Sequence, residues 1–332
     1  MSTVIAGAAS EPVTRSAVPR HRVRWPLSRR YVLGRLLNAL LAVWAVFTIV
    51  FFALHVTGDP SVTLLGPDST AADQARVSAH LGLDEPLWRQ YLIFLGQSIT
   101  GDFPESIRYG VSPVGIVFER LPNTLLLGLT GLLAGAIAGL SAGYYAAAGR
   151  SRRLRRIPVS ILTAFEAVPS FFLGVIFIAL FSITWAVLPM AWDGSAASLV
   201  LPAAVIALAL AAPIARVFRA TLVETFEADH VRLAESKGLS RRHVTLRHVV
   251  LNSLAPVVNV IGVQAGVVLG GAVVTETVFG WPGVGQLATS AFATRDYPLV
   301  LATVSLIAVG FVLINLLVDL VGALLDPRGG RR

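Results

Sequence analysis

Six long apolar runs alternate with polar segments of very unequal length. The runs cover approximately residues 36–56, 121–147, 161–187, 199–215, 254–275 and 299–325. Each comes close to, or exceeds, the ~20 residues that a helix needs to cross the ~30 Å hydrocarbon core of a bilayer. The pattern predicts an all-α, polytopic membrane protein with six transmembrane helices. Pro169 falls inside the third run, and the boundary near residue 120 is weakly marked, so five or seven spans are the alternatives. The second run is rich in Gly and Ala, which suits close helix packing. The first run has no small-residue cleavage site at a sensible distance, so it reads as an anchor and not as a signal peptide.

The polar segments divide by charge. Residues 1–30 are rich in Ala, Ser, Pro and Arg without helical periodicity, and are expected to form a disordered cytoplasmic tail, leaving 31–332 as the membrane domain. Residues 57–118 carry seven acidic residues and three arginines, and five arginines lie between Arg150 and Arg156. Of the 27 Lys and Arg residues, seven lie in the N-terminal segment, five in the 150–156 run, seven between 216 and 248 and three at the C-terminus, against five on the other side of the spans. By the positive-inside rule, both termini and segment 216–253 are expected in the cytoplasm, with 57–118 outside. Composition agrees: the chain is 55% hydrophobic and 14% charged, with mean hydropathy +0.72. Its net charge of +8 therefore reflects topology signals beside the spans and does not point to nucleic acid. With no cysteine, disulfides, thiol catalysis and Cys-ligated metals are excluded.

The segment 228–256 is polar although it lies between two spans. It reads as helix, break, helix: Val231, Leu233 and Ala234 give the first part an apolar face, Gly238 can end it in the left-handed conformation, and Ser240 can cap the second helix. Arg241, Arg242, Arg247 and His248 make the second part basic. No internal energy source accompanies it. The only lysine, Lys237, precedes Gly238 and follows Ser236, so no phosphate-binding Gly-Lys-Ser/Thr loop exists. Glu166 and Asp319 are the acids placed within spans, both near the cytoplasmic ends, which gives a proton relay little to work with. Glu166 is expected to pair with one of Arg152 to Arg156, and the alternative is that it lines the cytoplasmic mouth of a pathway. His243 and His248, five residues apart, do not share a face of an α-helix, so no metal site is expected there. A polar helix pair between spans, in a chain without its own motor, is suited to docking a separate one. Gly280, Trp281, Pro282, Gly283 and Gly285, on the outer side, read as a tight re-entrant or capping turn at an outer mouth.

Ala234-Glu235-Ser236-Lys237-Gly238-Leu239, followed by Arg241-Arg242 and Leu246-Arg247-His248, resembles the cytoplasmic EAA loop of ABC importer permeases. Leu251 stands where sugar-type loops carry a proline, and the next proline is Pro256, which is similar to the dipeptide/oligopeptide branch. Gly58-Asp59-Pro60, Leu81 to Pro86, Arg120 to Thr124, Val168 to Phe171 and Glu276 to Leu287 extend the resemblance over nearly the whole chain after the tail. Two positions depart from it: Pro104 stands where a glycine follows Gly-Asp-Phe, and Glu166 where a neutral residue is usual. The resemblance implies the type I ABC importer permease fold in a bacterial inner membrane. It also implies a second permease subunit forming a heterodimeric pore, two cytoplasmic ATPase subunits and an extracytoplasmic substrate-binding protein. Ala234, Glu235, Ser236, Lys237, Gly238 and Leu239 would be the coupling contacts, and this chain would hold no catalytic residue, cofactor or metal. Peptide import is the implied function; nickel, glutathione or antimicrobial-peptide import, and an ion-coupled carrier, are the alternatives.

Overall fold

The computed structural model describes residues 29–56, 84–149, 151 and 154–325. The N-terminal tail, most of the first half of the 57–118 segment, three of the five 150–156 arginines and the C-terminal tail lie outside these residues. Among the described residues all regular structure is helical. In chain order the helices are α1 (Arg29–Val56), α2 (Leu87–Thr100), α3 (Pro113–Ala148), α4 (Ile157–Glu166), α5 (Ser170–Phe177), α6 (Val200–Phe226), α7 (Asp229–Ser236), α8 (Leu251–Val278), α9 (Val284–Ala293) and α10 (Tyr297–Leu325). A short helical start, Arg241–His243, and a π-helical stretch, Val244–Val250, run directly into α8. A second π-helical stretch, Ile178–Thr184, extends α5.

Among the described residues, five helices are long and apolar enough to cross a membrane, and the bent pair of α4 and the extended α5 makes six where it is counted as one span. The expected third span is interrupted at Ala167-Val168-Pro169, where α4 and the extended α5 meet at 103°. Pro169 explains the break, since its ring cannot donate into the ladder and it becomes the residue that opens α5. The other expected spans are present with longer ends: α3 begins at Pro113 and α6 continues to Phe226. The polar 57–118 segment is also more ordered than its composition implies, because it contains α2. Pro86 precedes α2, and Gly101 at φ 76° ends it.

Helix α6 is the axis of the bundle. Gly131, Gly135, Gly139 and Gly143 repeat every four residues on α3, so they form one stripe along it. A side chain at Gly135 would meet the Ala207 carbonyl at 2.9 Å, at Gly139 the Ala211 carbonyl at 2.7 Å, and at Gly143 the Ala215 carbonyl at 2.8 Å. The two backbones therefore touch, which is how helices gain packing contacts where apolar burial offers no net drive. Helices α8 and α10 flank this pair. Helix α1 lies at the edge, pressing Phe47 and Phe51 against Phe94 of α2, Phe103 and Ala302 of α10. Its other face, with Leu33, Leu37, Leu40 and Ile49, is exposed, as a lipid-facing helix requires.

The two ends of the bundle differ. At one, a groove of about 960 Å³ brings together Tyr144, Arg155, Phe226, Arg241 and Arg242, so the end of α3, the end of α6 and the start of the α8 helix meet there. This is the basic end. At the other, the starts of α3 and α10 meet the end of α8 through Asn123, Thr124, Ser106, Glu276 and Asp296.

Candidate functional site

The polar helix pair sits at the basic end and is fixed from behind. Val231 (1% exposed) and Ala234 of α7 pack with Val244 and Val249 against Phe218 and Leu222 of α6. Gly238 takes φ 78°, ending α7, and the Ser240 hydroxyl accepts the His243 N–H at 3.4 Å. Both caps are those expected from sequence. The Ser253 hydroxyl lies 2.8 Å from the Val249 carbonyl and 3.0 Å from the Thr225 hydroxyl, tying the start of α8 to the end of α6. The pair is thus packed onto α6 and continuous with α8.

Its outer face carries Glu235, Ser236, Lys237, Gly238 and Leu239, all exposed, framed by Leu233, Leu239 and Leu246 at 57%, 41% and 50% exposure. Leu233 corrects the expected inner face: it points outward, and the inner face is Val231 with Ala234. Ala234, grouped with the coupling residues, is buried within this chain; the other five lie on the open surface. His243 and His248 also differ from expectation, with ring centroids 5.9 Å apart. The expectation assumed α-helical pitch, whereas Val244–Val250 is π-helical and wider, which brings positions five apart toward one face.

The 276–286 turn at the opposite end is a packed joint. Glu276 is fully buried. One of its oxygens accepts the Thr124 hydroxyl at 2.8 Å, and the other accepts the Gln286 N–H at 3.0 Å. Thr124 Oγ1 in turn accepts the Val284 N–H at 2.8 Å. Trp281, 1% exposed, donates its indole N–H to the Asn123 carbonyl at 3.0 Å and meets the Trp192 ring edge-on. The Asn123 side-chain amide donates to the Pro282 carbonyl at 3.0 Å. Gly283 and Gly285 pack directly on Glu276 and on Val273, leaving no room for a side chain. Of the five outer-turn residues, Gly280 alone uses positive φ, 57°.

Two buried acids in this region have roles that sequence reasoning missed. Glu276 secures the start of α9 to α3. Asp296, 1% exposed, accepts the Ser106 hydroxyl at 2.5 Å and the Leu299 N–H at 3.3 Å, so it caps α10 and holds the 104–110 loop. An aspartate one residue before a helix is a readable N-cap signal. The loop keeps its anchor despite Pro104, because Phe103 beside it is buried among Phe47, Phe51 and Phe94.

The third feature is Glu166. Its carboxylate forms a two-pronged ion pair with Arg216 of α6, at 2.5 and 3.0 Å. The expected partner was in the Arg152 to Arg156 run. The break after α4 directs Glu166 toward α6 instead, and there the guanidinium fork matches a carboxylate with two parallel bonds. The pair is half-exposed, with side chains 45% and 33% accessible.

The sequence of the chain matches a known family. Residues 131–330 match the model for the binding-protein-dependent transport system inner membrane component, and 28–127 match the N-terminal model of the same systems. The chain belongs to this family. It is 35% identical over 298 residues to the glutathione transport system permease protein GsiC of Escherichia coli K12, covering 90% of this chain and 97% of that one. The same identity and coverage hold for GsiC of Shigella dysenteriae serotype 1. Among solved structures it is similar to a chain of the MetNI methionine ABC transporter in an inward-facing conformation, with TM-score 0.54 at 16% identity over 64% of this chain and 96% of that one. An amino acid ABC transporter gives TM-score 0.50 at 13% identity. These structures establish the type I importer permease fold. The protein is an inner-membrane permease component of an ABC importer, and such a component works with an ATPase and a binding protein.

Proposed function

We propose that this permease forms one half of a peptide-conducting pore, paired with a second permease subunit, driven by two cytoplasmic ATPase subunits and loaded by an extracytoplasmic binding protein. The Lys and Arg asymmetry supports the orientation: the basic end faces the cytoplasm, with both termini. The observation that carries the proposal is the helix pair. Glu235, Ser236, Lys237, Gly238 and Leu239 form an exposed face on a piece welded to α6 and α8. A displacement applied there by a closing ATPase dimer is transmitted to two spans at once. ATP hydrolysis belongs to the ATPase subunits in this scheme, and the outer segment 57–118 with the exposed residues of 276–298 receives the binding protein.

The substrate class accords with the branch. The EAA-loop spacing is of the peptide type, and relatives are named for glutathione, itself a small peptide. Against an ion-coupled carrier, Glu166, one of the two acids expected within spans, is paired with Arg216.

Replacing Gly238 with Trp tests the coupling role. The left-handed backbone at φ 78° and the exposed site predict a distorted docking face in an otherwise folded bundle. In the full importer, peptide uptake and its coupled ATPase activity are expected to fall together, with the permease still in the membrane. Undiminished uptake by that variant would sink the coupling assignment.

A further inference from the structure

The Glu166–Arg216 pair is unexplained by coupling or by the packed outer turn. Phe226, at the end of α6, lines the groove at the basic end. Arg216 lies ten residues back from it, ~15 Å along α6, and Glu166 ends α4 at the break of the bent span. Charged side chains within apolar spans face water or the bundle interior, and not lipid. The pair is half-exposed in this chain, so it is not sealed in the interior. Ser160, Thr163 and Glu166 lie three residues apart on the exposed side of α4, continuing a polar stripe, and Arg216 also reaches the Thr163 hydroxyl at 3.5 Å. The span breaks immediately beyond, where α5 opens without a side-chain cap. Discontinuous spans of this kind place helix-end dipoles beside substrate charges in transporters.

We propose that Glu166 and Arg216 form a subsite on the translocation pathway for the charged termini of a zwitterionic peptide; this rests on the peptide reading above. Arg216 takes the α-carboxylate through its two-pronged fork, and Glu166 takes the α-ammonium. In the empty pathway the two residues neutralise each other. Exchange is inexpensive, because a solvent-exposed ion pair contributes little net stability, so a ligand that supplies both opposite charges loses little by separating it. A ligand with one charge leaves the other partner unpaired.

The test uses the full importer in proteoliposomes, with dialanine, N-acetyl-dialanine and dialanine amide as probes. The same binding protein is present throughout, so any change in the ratio of free to blocked peptide uptake belongs to the permease. Arg216→Gln is expected to lower the free-to-amide ratio by about tenfold, and Glu166→Gln the free-to-acetylated ratio similarly. The double variant E166Q/R216Q leaves no unpaired charge and is expected to lower both ratios, which keeps the test open where a single variant fails to assemble. Uptake reduced equally for all three peptides, with the ratios of wild type, would overturn the subsite and leave a structural brace. Failure of wild type to import dialanine, trialanine or glutathione would remove the peptide reading itself, before any variant is compared.

Discussion

The turn at 276–286 and the helix pair at 229–250 are both marked in sequence by glycines, and they use them for opposite reasons. At the outer turn, a side chain at Gly285 would stand 2.6 Å from the Val273 Cα, and one at Gly283 would overlap the Glu276 carboxylate. At the helix pair, Gly238 has nothing within 4 Å, yet its φ of 78° is unfavourable for any residue with a Cβ. The first is a site without space and the second a site without company. The outer turn is an internal joint whose polar groups answer one another. The helix pair is secured on one side and open on the other, which is the form of a contact surface.

Removing the Glu276 side chain tests the joint most severely. Glu276→Ala strands the Thr124 hydroxyl and the Gln286 N–H in a buried site, and is expected to cost about 3 kcal/mol. The check is the thermal stability of the detergent-solubilised protein. Glu276→Gln keeps the shape and one acceptor and is expected to recover most of the loss. A fully stable Ala variant would break the contrast, since the turn would then be no more committed internally than the helix pair.

The glycines themselves sharpen it. Gly285→Ala forces a methyl group against the α8 backbone and is expected to cost about 2 kcal/mol, by overpacking. Gly238→Ala meets no atoms and is expected to cost about 1 kcal/mol, as backbone strain alone. The two variants differ further in kind. A Gly238→Asn variant, which tolerates the left-handed region, should restore stability, whereas Gly285→Asn should be worse than Ala. The same stability scans distinguish them.

How much of the fold and the site is legible in the sequence depends on the range of each interaction. The long apolar helices and the caps at Gly238 and Ser240 are local, and hydropathy and turn chemistry suffice for them. Pro169 marks the third span as irregular, but the 103° bend depends on how α4 packs onto α6. Helix α2 is hidden by the polar average of its segment, although Pro86 before it and Gly101 after it are start and stop signals. Glu276 finds Thr124 across 152 positions, and Glu166 finds Arg216 across 50. Neither partner can be chosen from spacing, so the nearer arginines of the 150–156 run mislead about the second. The histidine pair defies the α-helical pitch assumed for it, because the stretch is π-helical, with Val244 and Val249, also five apart, both buried.

The smallest expected change in stability carries the sharpest information about the helix pair. Leu239 is 41% exposed and belongs to none of the buried clusters, while Val231 and Ala234 hold the pair from the other side. Leu239→Asp therefore changes a surface position, where substitutions usually move stability by less than ~0.5 kcal/mol. If the open face docks an ATPase, the same change inserts an unpaired charge into an apolar contact, and the cost appears only on assembly. The expected outcome is an unaltered melting profile for the isolated permease, together with weaker retention of the ATPase subunits on affinity capture and a matching fall in uptake. Val231→Asp is the complementary change, since Val231 is 1% exposed and its loss should unfold the pair before any partner arrives. Stability lost at Val231 and association lost at Leu239 would separate the fastened side of the helix pair from its working side. Intact association after Leu239→Asp would mean that the apolar rim of the open face is incidental and that contact is made through Glu235 and Lys237.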